Sequence, residues 1–416
     1  MTRPSSDPPP EAIAIALDQA AVDLRPPVRI ERMDGGYSWR TYLLTGAEGA
    51  SVVLRLAPRG GTLEPYDPQV EARAIAASRG AVPAPHILGV EPTGGALGNP
   101  YLIQSTAPGQ VLRLSAVADE AERVRYRTRF ARTLGCLHRD GDASAFGDAS
   151  TVTEALYAEL ERVAQRYRRA ATWPRVGFDI GMRWLLTHMP KVSDRPTFCH
   201  GDYRFGNLTW TAPGVLGAVL DWERAWCGDP MADVAFTRVY SGWCSVDGPA
   251  VADYEEAGIA VDTSRLHYAA RFEQVRSYTA SMLGEQAYRS GRSEDERLLT
   301  IGAAGEAGMA TLVDWLNEGP LLPLPQNWRV EGDGASVPEY PSELLGESLI
   351  RLRQCRFEDP VGHSVSGAAA TDEDIAQAWR EAFVRLAPLA AHAPVKAAPA
   401  LRALCLPAIR FSQPNG

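Results

Sequence analysis

The chain has 416 residues, of which 45% are hydrophobic and 22% charged, so we expect an ordinary globular protein that is long enough for two lobes or domains. Its 42 basic and 51 acidic residues give a net charge of −9, which argues against nucleic acid as the main partner because phosphate binding needs a basic surface. Its six cysteines include no C-x-x-C pair, and no apolar run approaches the roughly 18–20 residues of a membrane span. These features predict a cytoplasmic protein without a disulfide framework or a zinc site. We expect neither nucleic acid nor a membrane as its partner.

The first 106 residues predict an N-terminal tail followed by a β-rich lobe. Residues 1–25 combine a polar, proline-rich start with a short helix in EAIAIALDQAAVDL. Strand-type runs follow in VRIERM, TYLLTG, SVVLRLA, HILGVEP and PYLIQST, and the stretch PQVEARAIAASRG between the third and fourth runs predicts a helix. We therefore expect a five-stranded sheet with one helix over residues 26–106.

Helical patterns dominate the predicted second lobe, residues 107–416. One helical face of RVRYRTRFARTLGCLH carries Tyr126, Phe130, Leu134 and Leu137. Residues 265–317 are predicted to be almost wholly helical, and Thr371 with Asp374 predicts the start of a later helix. The predicted fold class is α+β and bilobal, with a small β-rich N-lobe and a large, mainly helical C-lobe.

The stretch HGDYRFGN, residues 200–207, carries the strongest chemical signal. It precedes two short strand patterns, LTW and VLGAVL, which the turn TAPG can join into an antiparallel hairpin. Because the open ends of a hairpin meet, Asn207 and Asp221 are expected to converge near Asp202. Two carboxylates and one amide suit Mg²⁺, which prefers oxygen ligands. Phosphoryl transfer needs this metal and a carboxylate that orients the attacking hydroxyl.

A structural interpretation of the same stretch stays open. Asp and Asn are common turn residues that can satisfy the backbone of their own loop. His200 is interpreted as an anchor of the loop rather than as a base. Asp229, with Pro230 behind it, predicts the N-cap of the helix that begins MADVAF, and Asp233 is assigned to the scaffold.

The segments HGDYRFGN and VLDWERAWCGDPMADVAF resemble the aminoglycoside phosphotransferase/choline kinase-like family, which has a protein-kinase-like fold. A longer pattern, from VVLRLAPRGGTLEP through VEARAIAA and AVPAPHILG to GNPYLIQSTAPG, resembles the branch associated with acyl-CoA dehydrogenase-like proteins. The resemblance covers roughly residues 26–240. It places the catalytic and metal segments at 198–233.

The resemblance implies roles for individual residues. Asp202 would be the catalytic base, while Asn207 and Asp221 would hold Mg²⁺. The loop over the nucleotide phosphates would be DGGYSW, with the contacts from Gly35, Gly36, Tyr37 and Ser38. Glycine allows such a backbone to approach phosphate closely. Gln104 to Thr106 would form the hinge, whose backbone would pair with adenine.

One position departs from the kinase pattern. Protein kinases and many of their relatives carry a lysine on the third strand, paired with a glutamate on the helix. Here that position is Arg55, with Glu71 as its expected partner, and no lysine precedes Lys191. Arginine can bind phosphate in a bidentate manner, but it does not replace lysine like for like. Arg55 therefore keeps open a non-catalytic, pseudokinase-like role.

The predicted function is an ATP- and Mg²⁺-dependent kinase of a small-molecule hydroxyl. Candidate acceptors are aminoglycoside-like, choline-like or hydroxyacyl compounds, and the sequence leaves their charge and the oligomeric state open. The alternatives are a nucleotide-binding regulator without catalysis and a metal-dependent hydrolase that uses the same carboxylates. The sequence contains no G-x-x-x-x-G-K-[ST] and no G-x-S-x-G, so other nucleotide and serine-hydrolase sites lack their markers.

Overall fold

A computed structural model describes residues 7–33, 36–170, 176–241 and 249–302, together with residues 305, 309, 329–331, 356–358 and 364–366. The chain forms two compact units. The first unit comprises Met1–Arg59, Pro65–Leu156 and Pro190–Ala270, and the second comprises Gly60–Glu64, Tyr157–Met189 and Arg271–Gly416. Within the described ranges, no helix combines the length and the apolar character that a membrane crossing requires.

The first unit begins with a five-stranded antiparallel sheet. Its elements are α1 (Pro10–Gln19), β1 (Arg29–Met33), β2 (Arg40–Thr45), β3 (Ser51–Leu56), α2 (Pro68–Ala77), β4 (Ile87–Glu91) and β5 (Tyr101–Ser105). The strand order is β1-β2-β3-β5-β4, and α2 lies between β3 and β4 in the chain. The predicted five-stranded sheet with one helix is thus confirmed.

The alternation of side chains along β3 separates the sheet's core from its other face. Leu54 and Leu56 are buried in a cluster with Tyr42 and Ile103. Because successive residues of a strand point to opposite faces, Arg55 lies on the face opposite to this cluster. The apolar alternation of SVVLRL therefore places Arg55 on the face of the sheet that points away from this apolar core.

The helical part of the first unit surrounds short strands. These elements are β6 (Gln110–Val111), α3 (Glu120–Asp140), β7 (Thr197–Cys199), β8 (Leu208–Ala212), β9 (Val215–Val219), β10 (Trp226–Gly228), α6 (Pro230–Ser241) and α7 (Pro249–Glu255). Strands β6, β8 and β9 form one small sheet, and β7 pairs with β10. The predicted face of α3 is buried and packs into the same core as Tyr203, Phe205 and Trp222. The predicted hairpin of LTW and VLGAVL is β8 and β9.

The second unit is mainly helical in its described part. Helices α4 (Val152–Ala170) and α8 (Thr263–Arg289) run from the first unit into it, and α5 (Val176–Thr187) lies wholly within it. A buried ion pair joins Glu159 and Arg276 at 3.0 Å. Three strands of three residues each were not predicted: β11 (Arg329–Glu331), β12 (Arg356–Glu358) and β13 (Ser364–Ser366). The predicted helix start at Thr371 and Asp374 lies outside the described residues.

Candidate active site

The loop of residues 200–207, which we call the HGD loop, connects β7 to β8. Gly201 has φ +78°, a left-handed conformation that favours glycine. The imidazole of His200 is fully buried and bonds to backbone on both sides. Its Nε2 lies 2.9 Å from the carbonyl oxygen of Leu220 and must donate, while its Nδ1 accepts from the N–H of Asp202 at 3.2 Å. His200 therefore fixes the loop as one neutral tautomer, in agreement with burial, which lowers its pKa.

A buried carboxylate on α6 holds the backbone of the same loop. Asp233 accepts hydrogen bonds from the N–H groups of His200 and Gly201, each at 2.7 Å. Its Oδ2 also lies 3.0 Å from Nε2 of His138 on α3. Asp229 accepts from the N–H of Met231 at 3.0 Å and so caps α6, as predicted. The scaffold role predicted for Asp233 is confirmed by these bonds.

Asp202 and Asn207 are in direct contact. The side-chain Nδ2 of Asn207 donates to Oδ2 and to the carbonyl oxygen of Asp202, both at 3.0 Å. Arg204 also contacts this carboxylate, with its Nε 3.3 Å from Oδ1 of Asp202. Burial raises the pKa of the Asp202 carboxyl, and the positive charges of Arg204 and Arg224 act in the opposite direction.

The β8–β9 hairpin brings the second carboxylate back to this loop. At its open end, the N–H of Leu220 donates to the carbonyl oxygen of Asn207 at 2.8 Å. Asp221 follows directly and has φ +66°, which is uncommon for a residue with a side chain. The structure thus brings together Asp202, Asn207 and Asp221, as the sequence spacing predicts. Their carboxylate and amide oxygens are a donor set that fits Mg²⁺.

Arg55 is the centre of a buried ion cluster, which we call the Arg55 cluster (Arg55, Glu71, Asp221 and Glu223). Its NH1 group pairs with Glu71 on α2. Its NH2 group lies 2.7 Å from Oδ1 of Asp221 and 2.7 Å from Oε2 of Glu223. The Arg55 side chain is only 9% exposed. The Glu71 partner predicted from sequence is confirmed, and its burial shows that the pair is not a surface salt bridge.

The electrostatics of the Arg55 cluster are unbalanced, because three carboxylates surround one guanidinium. Burial alone would lower the pKa of Arg55, but the charges of Glu71, Asp221 and Glu223 outweigh it and raise that pKa. Burial also raises the pKa of Glu71, to about 7, against the opposing effect of Arg55. Burial and the charge of Asp221 raise the pKa of Glu223 as well, so protons offset part of the excess of carboxyl groups.

Glu223 was missed in the sequence, although it stands only two residues after Asp221. Besides Arg55, its Oε2 accepts a hydrogen bond from the Ser38 hydroxyl at 2.8 Å. The backbone of Ser38 is held as well, since the Tyr66 hydroxyl donates to its carbonyl oxygen at 2.9 Å. The sequence does contain a signal for Glu223. This residue lies in the short turn that follows Asp221, a predicted metal ligand, and is therefore within reach of the cation that Asp221 is expected to bind.

A cavity of about 1380 Å³ within the first unit connects these elements. Seven of the predicted site residues line it, namely Gly36, Ser38, Arg55, Gln104, Thr106, Asn207 and Asp221. In the part of the chain that the structure describes, Tyr37, Glu71 and Asp202 are not among the lining residues, and Gly35 lies outside that part. Tyr37 is half exposed. Glu71 is buried and pairs with Arg55, which does line the cavity.

The predicted hinge occupies the end of β5. Gln104 is buried, Thr106 is exposed, and both line the cavity. The side-chain oxygen of Gln104 is buried without a hydrogen-bond partner among the described residues. A buried acceptor of this kind costs free energy unless a ligand or a water molecule satisfies it.

Comparison with known proteins agrees with this geometry. Residues 29–269 match the sequence profile of the phosphotransferase enzyme family, known by the short name APH. The match covers more than half of the chain and includes the β-rich sheet, the HGD loop and the β8–β9 hairpin. The protein belongs to this phosphotransferase family, and the resemblance seen in its motifs is confirmed.

Two curated relatives carry the same kind of segment inside much longer chains. Acyl-CoA dehydrogenase family member 10 of Mus musculus is 28% identical over 218 residues, which make up 51% of this chain and 20% of that protein. Acyl-CoA dehydrogenase family member 11 of Gallus gallus is 29% identical over 141 residues, or 26% of this chain and 18% of that protein. The chain thus spans about a fifth of the length of these two relatives.

Two solved structures share the fold. A Ralstonia eutropha protein assigned as an aminoglycoside phosphotransferase has a TM-score of 0.55 at 21% identity, covering 74% of this chain and 98% of its own. A thermostable variant of the aminoglycoside phosphotransferase APH(4)-Ia, solved with ADP and hygromycin B, has a TM-score of 0.50 at 16% identity and covers 74% and 99%. The α+β, protein-kinase-like fold class is confirmed.

Proposed function

We propose that this protein is an ATP- and Mg²⁺-dependent phosphotransferase that phosphorylates a hydroxyl group of a small molecule. The observation that carries the proposal is the convergence of Asp202, Asn207 and Asp221 beside a cavity that Arg55 also lines. In phosphoryl transfer, catalysis depends on positioning and on charge stabilisation more than on covalent chemistry, and these residue types supply both.

Each residue has a defined task in this proposal. Asp202 orients the acceptor hydroxyl and accepts its proton as the hydroxyl oxygen attacks the terminal phosphorus of ATP. The bond between that phosphorus and the bridging oxygen breaks, and ADP leaves. Asn207 holds Asp202 in place through its Nδ2 and offers its amide oxygen, with Asp221, to Mg²⁺. When bound, the metal offsets the negative charge of the phosphates. Arg55 donates hydrogen bonds to phosphate oxygens from its guanidinium.

The nucleotide would occupy the side of the cavity that the sheet forms. Gly36, Tyr37 and Ser38 would cover the phosphates, and Gln104 to Thr106 would meet the base. The unpartnered Gln104 side-chain oxygen supports a ligand with a hydrogen-bond donor at this position, such as the amino group of adenine. The ADP in the similar APH(4)-Ia complex supports the same class of nucleotide.

The charged lining of the cavity bears on the acceptor. Four arginines other than Arg55 line it, namely Arg113, Arg123, Arg127 and Arg204. Among the described lining residues, Glu120 and Asp221 are the carboxylates, and Glu120 bonds to Arg123 at 2.7 Å. An excess of positive charge attracts anions and repels polycations. Of the three candidate acceptor classes, this lining favours a hydroxyacyl compound with a carboxylate or phosphate group over aminoglycoside-like or choline-like cations.

A nucleotide-binding regulator without catalysis is the second candidate. It is favoured by one observation, the bond between Arg55 and Oδ1 of Asp221, because that bond occupies an oxygen that a metal ion would need. A protein in which this contact persists would bind nucleotide without activating it.

ADP release from Mg-ATP tests the proposal. Purified protein is given aminoglycosides, choline, amino alcohols, hydroxy acids and hydroxyacyl-CoA thioesters in separate reactions, and nucleotide affinity is measured in parallel. We expect turnover that depends on an anionic acceptor and on Mg²⁺. Tight ATP binding without turnover on any acceptor would favour the regulator, and absence of ATP binding would overturn both candidates.

A further inference from the structure

We propose that Glu223 is a positioning residue that orients Arg55 and the Ser38 segment for the nucleotide phosphates. This inference rests on the proposed function, since it concerns the nucleotide side of the same site. It assigns to Glu223 a role that neither the motif HGDYRFGN nor the third-strand position of Arg55 indicates.

The first argument is the shape of the cation. A lysine ammonium is a compact point charge, whereas a guanidinium is a planar fork with two terminal NH₂ groups that must both be oriented. In the Arg55 cluster, Glu71 pairs with NH1, while NH2 has two partners, Asp221 and Glu223, each at 2.7 Å. An arginine in this position therefore needs one carboxylate more than a lysine does.

The second argument concerns what happens when Asp221 is used elsewhere. If the carboxylate of Asp221 holds a metal ion, it can no longer fix NH2 of Arg55. Glu223 then remains as the only carboxylate partner of NH2 among the described contacts. The guanidinium would keep its plane, with NH1 on Glu71 and NH2 on Glu223, and the Asp221 side of NH2 would be open to a phosphate oxygen.

The third argument is the tie between Glu223 and the loop over the cavity. The same Oε2 atom that bonds to Arg55 accepts the Ser38 hydroxyl at 2.8 Å. Trp39, the next residue, lies over the guanidinium of Arg55, with 5.8 Å between the guanidinium carbon and the ring centroid. One carboxylate oxygen thus fixes both the cation and the segment that is expected to cover the phosphates.

The backbone explains how Glu223 reaches this position. Asp221, in its left-handed conformation, ends the β9 strand path and leads into a short 3₁₀ turn, Trp222–Arg224. The indole of Trp222 is fully buried and its Nε1 donates to the carbonyl oxygen of Val219 at 2.9 Å. This anchor holds the turn so that Asp221 and Glu223, on either side of Trp222, both face NH2 of Arg55.

A double-mutant cycle on nucleotide affinity tests the proposal. The dissociation constant for a fluorescent ATP analogue with Mg²⁺ is measured for the wild type, Glu223→Gln, Arg55→Lys and the double variant. Glu223→Gln should weaken binding by about tenfold or more in the Arg55 background, because an amide oxygen accepts hydrogen bonds from a guanidinium less strongly than a carboxylate does. In the Arg55→Lys background the same change should weaken it by less than about twofold, because the ammonium needs only Glu71.

Two controls separate positioning from folding. Glu285→Gln removes a buried carboxylate that pairs with Arg289 in the second unit, and it should leave the nucleotide dissociation constant unchanged. Glu223→Asp keeps the charge at a shorter reach and should show an intermediate affinity. It serves as the test variant if thermal unfolding shows that Glu223→Gln does not fold.

The outcomes are distinguishable. Wild type that binds no nucleotide would overturn the proposed function, and this inference with it. Wild type that binds, with equal losses from Glu223→Gln in the arginine and lysine backgrounds, would overturn the inference alone. In the kinase reaction, Glu223→Gln should raise the KM for ATP and leave the KM for the acceptor unchanged; a rise in both would point to a general structural role.

Discussion

The HGD loop and the Arg55 cluster lie on the same cavity, yet they are held in different ways. The loop is fixed through its backbone, with two N–H groups on the Asp233 carboxylate and with His200 bonded to Leu220. The Arg55 cluster is fixed through side chains alone, with three carboxylates around one guanidinium. The backbone bonds of the loop form without a ligand, whereas the cluster places three carboxyl groups around one guanidinium, and the pKa values of Glu71 and Glu223 are raised.

This difference teaches where a ligand is expected to change the molecule. The backbone bonds of the HGD loop gain little from a bound cation, because they are already formed within the protein. A buried cluster with more carboxyl groups than cations is stabilised by a bound cation, because the cation favours the ionised forms of Glu71 and Glu223, whose pKa values burial has raised. The four predictions below challenge this contrast, in order of decreasing expected effect.

The largest effect is expected for Asp202→Asn, which removes a carboxylate from the HGD loop and keeps the bonds that hold the loop in place. Loss of the proposed proton acceptor should lower kcat by about 10²–10⁴-fold, the usual contribution of a general base. Nucleotide affinity and the melting temperature should change little, because Asp233 still holds the loop backbone. A kcat within fivefold of the wild type, measured by ADP release, would show that Asp202 is not the base.

Arg55→Met should cause the largest loss of stability. It removes the single cation from the Arg55 cluster and leaves buried carboxylates unpaired, which costs about 3–5 kcal/mol. Urea unfolding with and without Mg²⁺ measures this loss, and the metal should recover part of it in the variant. Arg55→Lys is the matched control and should be much less destabilised. A loss below 1 kcal/mol in the methionine variant would contradict the contrast drawn between the two regions.

Asp233→Asn should lower the free energy of unfolding by weakening the bonds that hold the HGD loop. It should also remove part of the pH dependence of that free energy. The amide can accept only one of the two backbone N–H groups, so we expect a loss of about 1–3 kcal/mol near neutral pH. Burial opposes ionisation of Asp233, but the hydrogen bond to His138, the charges of His138 and His200 and the hydrogen bond from the Gly201 N–H together outweigh it and lower the pKa of the carboxyl below 3.8. A lowered folded-state pKa gives stability that is present above the unfolded value and is lost as the pH falls through the folded value.

The pH range for this test is therefore below about 4. Wild type should lose stability more steeply with falling pH than Asp233→Asn, and the two unfolding curves should approach each other in acid. Parallel curves between pH 7 and pH 3 would mean that the carboxylate of Asp233 contributes no stability through its charge.

The smallest effect is expected for Ser38→Ala. It removes one hydrogen bond to Glu223 and leaves the bond from Tyr66 to the Ser38 carbonyl, so the loss should be about 1 kcal/mol, or about fivefold in nucleotide affinity. Titration with the fluorescent ATP analogue measures it. Tyr66→Phe, which removes the other bond, is the comparison variant, and a loss of more than 100-fold from Ser38→Ala would assign the hydroxyl a direct role that we do not expect.

Much of the HGD loop could be predicted because its geometry depends on neighbours in the sequence. The five-residue interval from Asp202 to Asn207 spans one loop, and the turn of the β8–β9 hairpin returns the chain to Asp221. The cap at Asp229 is equally local. The five-stranded sheet followed from alternating apolar runs and turn residues, which act over a few residues. Small strands such as β11 to β13 were missed, since three residues carry too little periodicity.

The sequence by itself determined the α+β fold class, the phosphotransferase family and the Asp202, Asn207 and Asp221 set, because periodicity and short intervals dictate local structure. Only the tertiary structure decided that Glu223 joins Arg55, across 168 residues, and Ser38, across 185. It also decided that His138 meets Asp233 across 95 residues. No local sequence pattern identifies the partner of a buried charge. Because an unpaired buried charge is costly, it pairs with an opposite charge that the folded chain brings within reach.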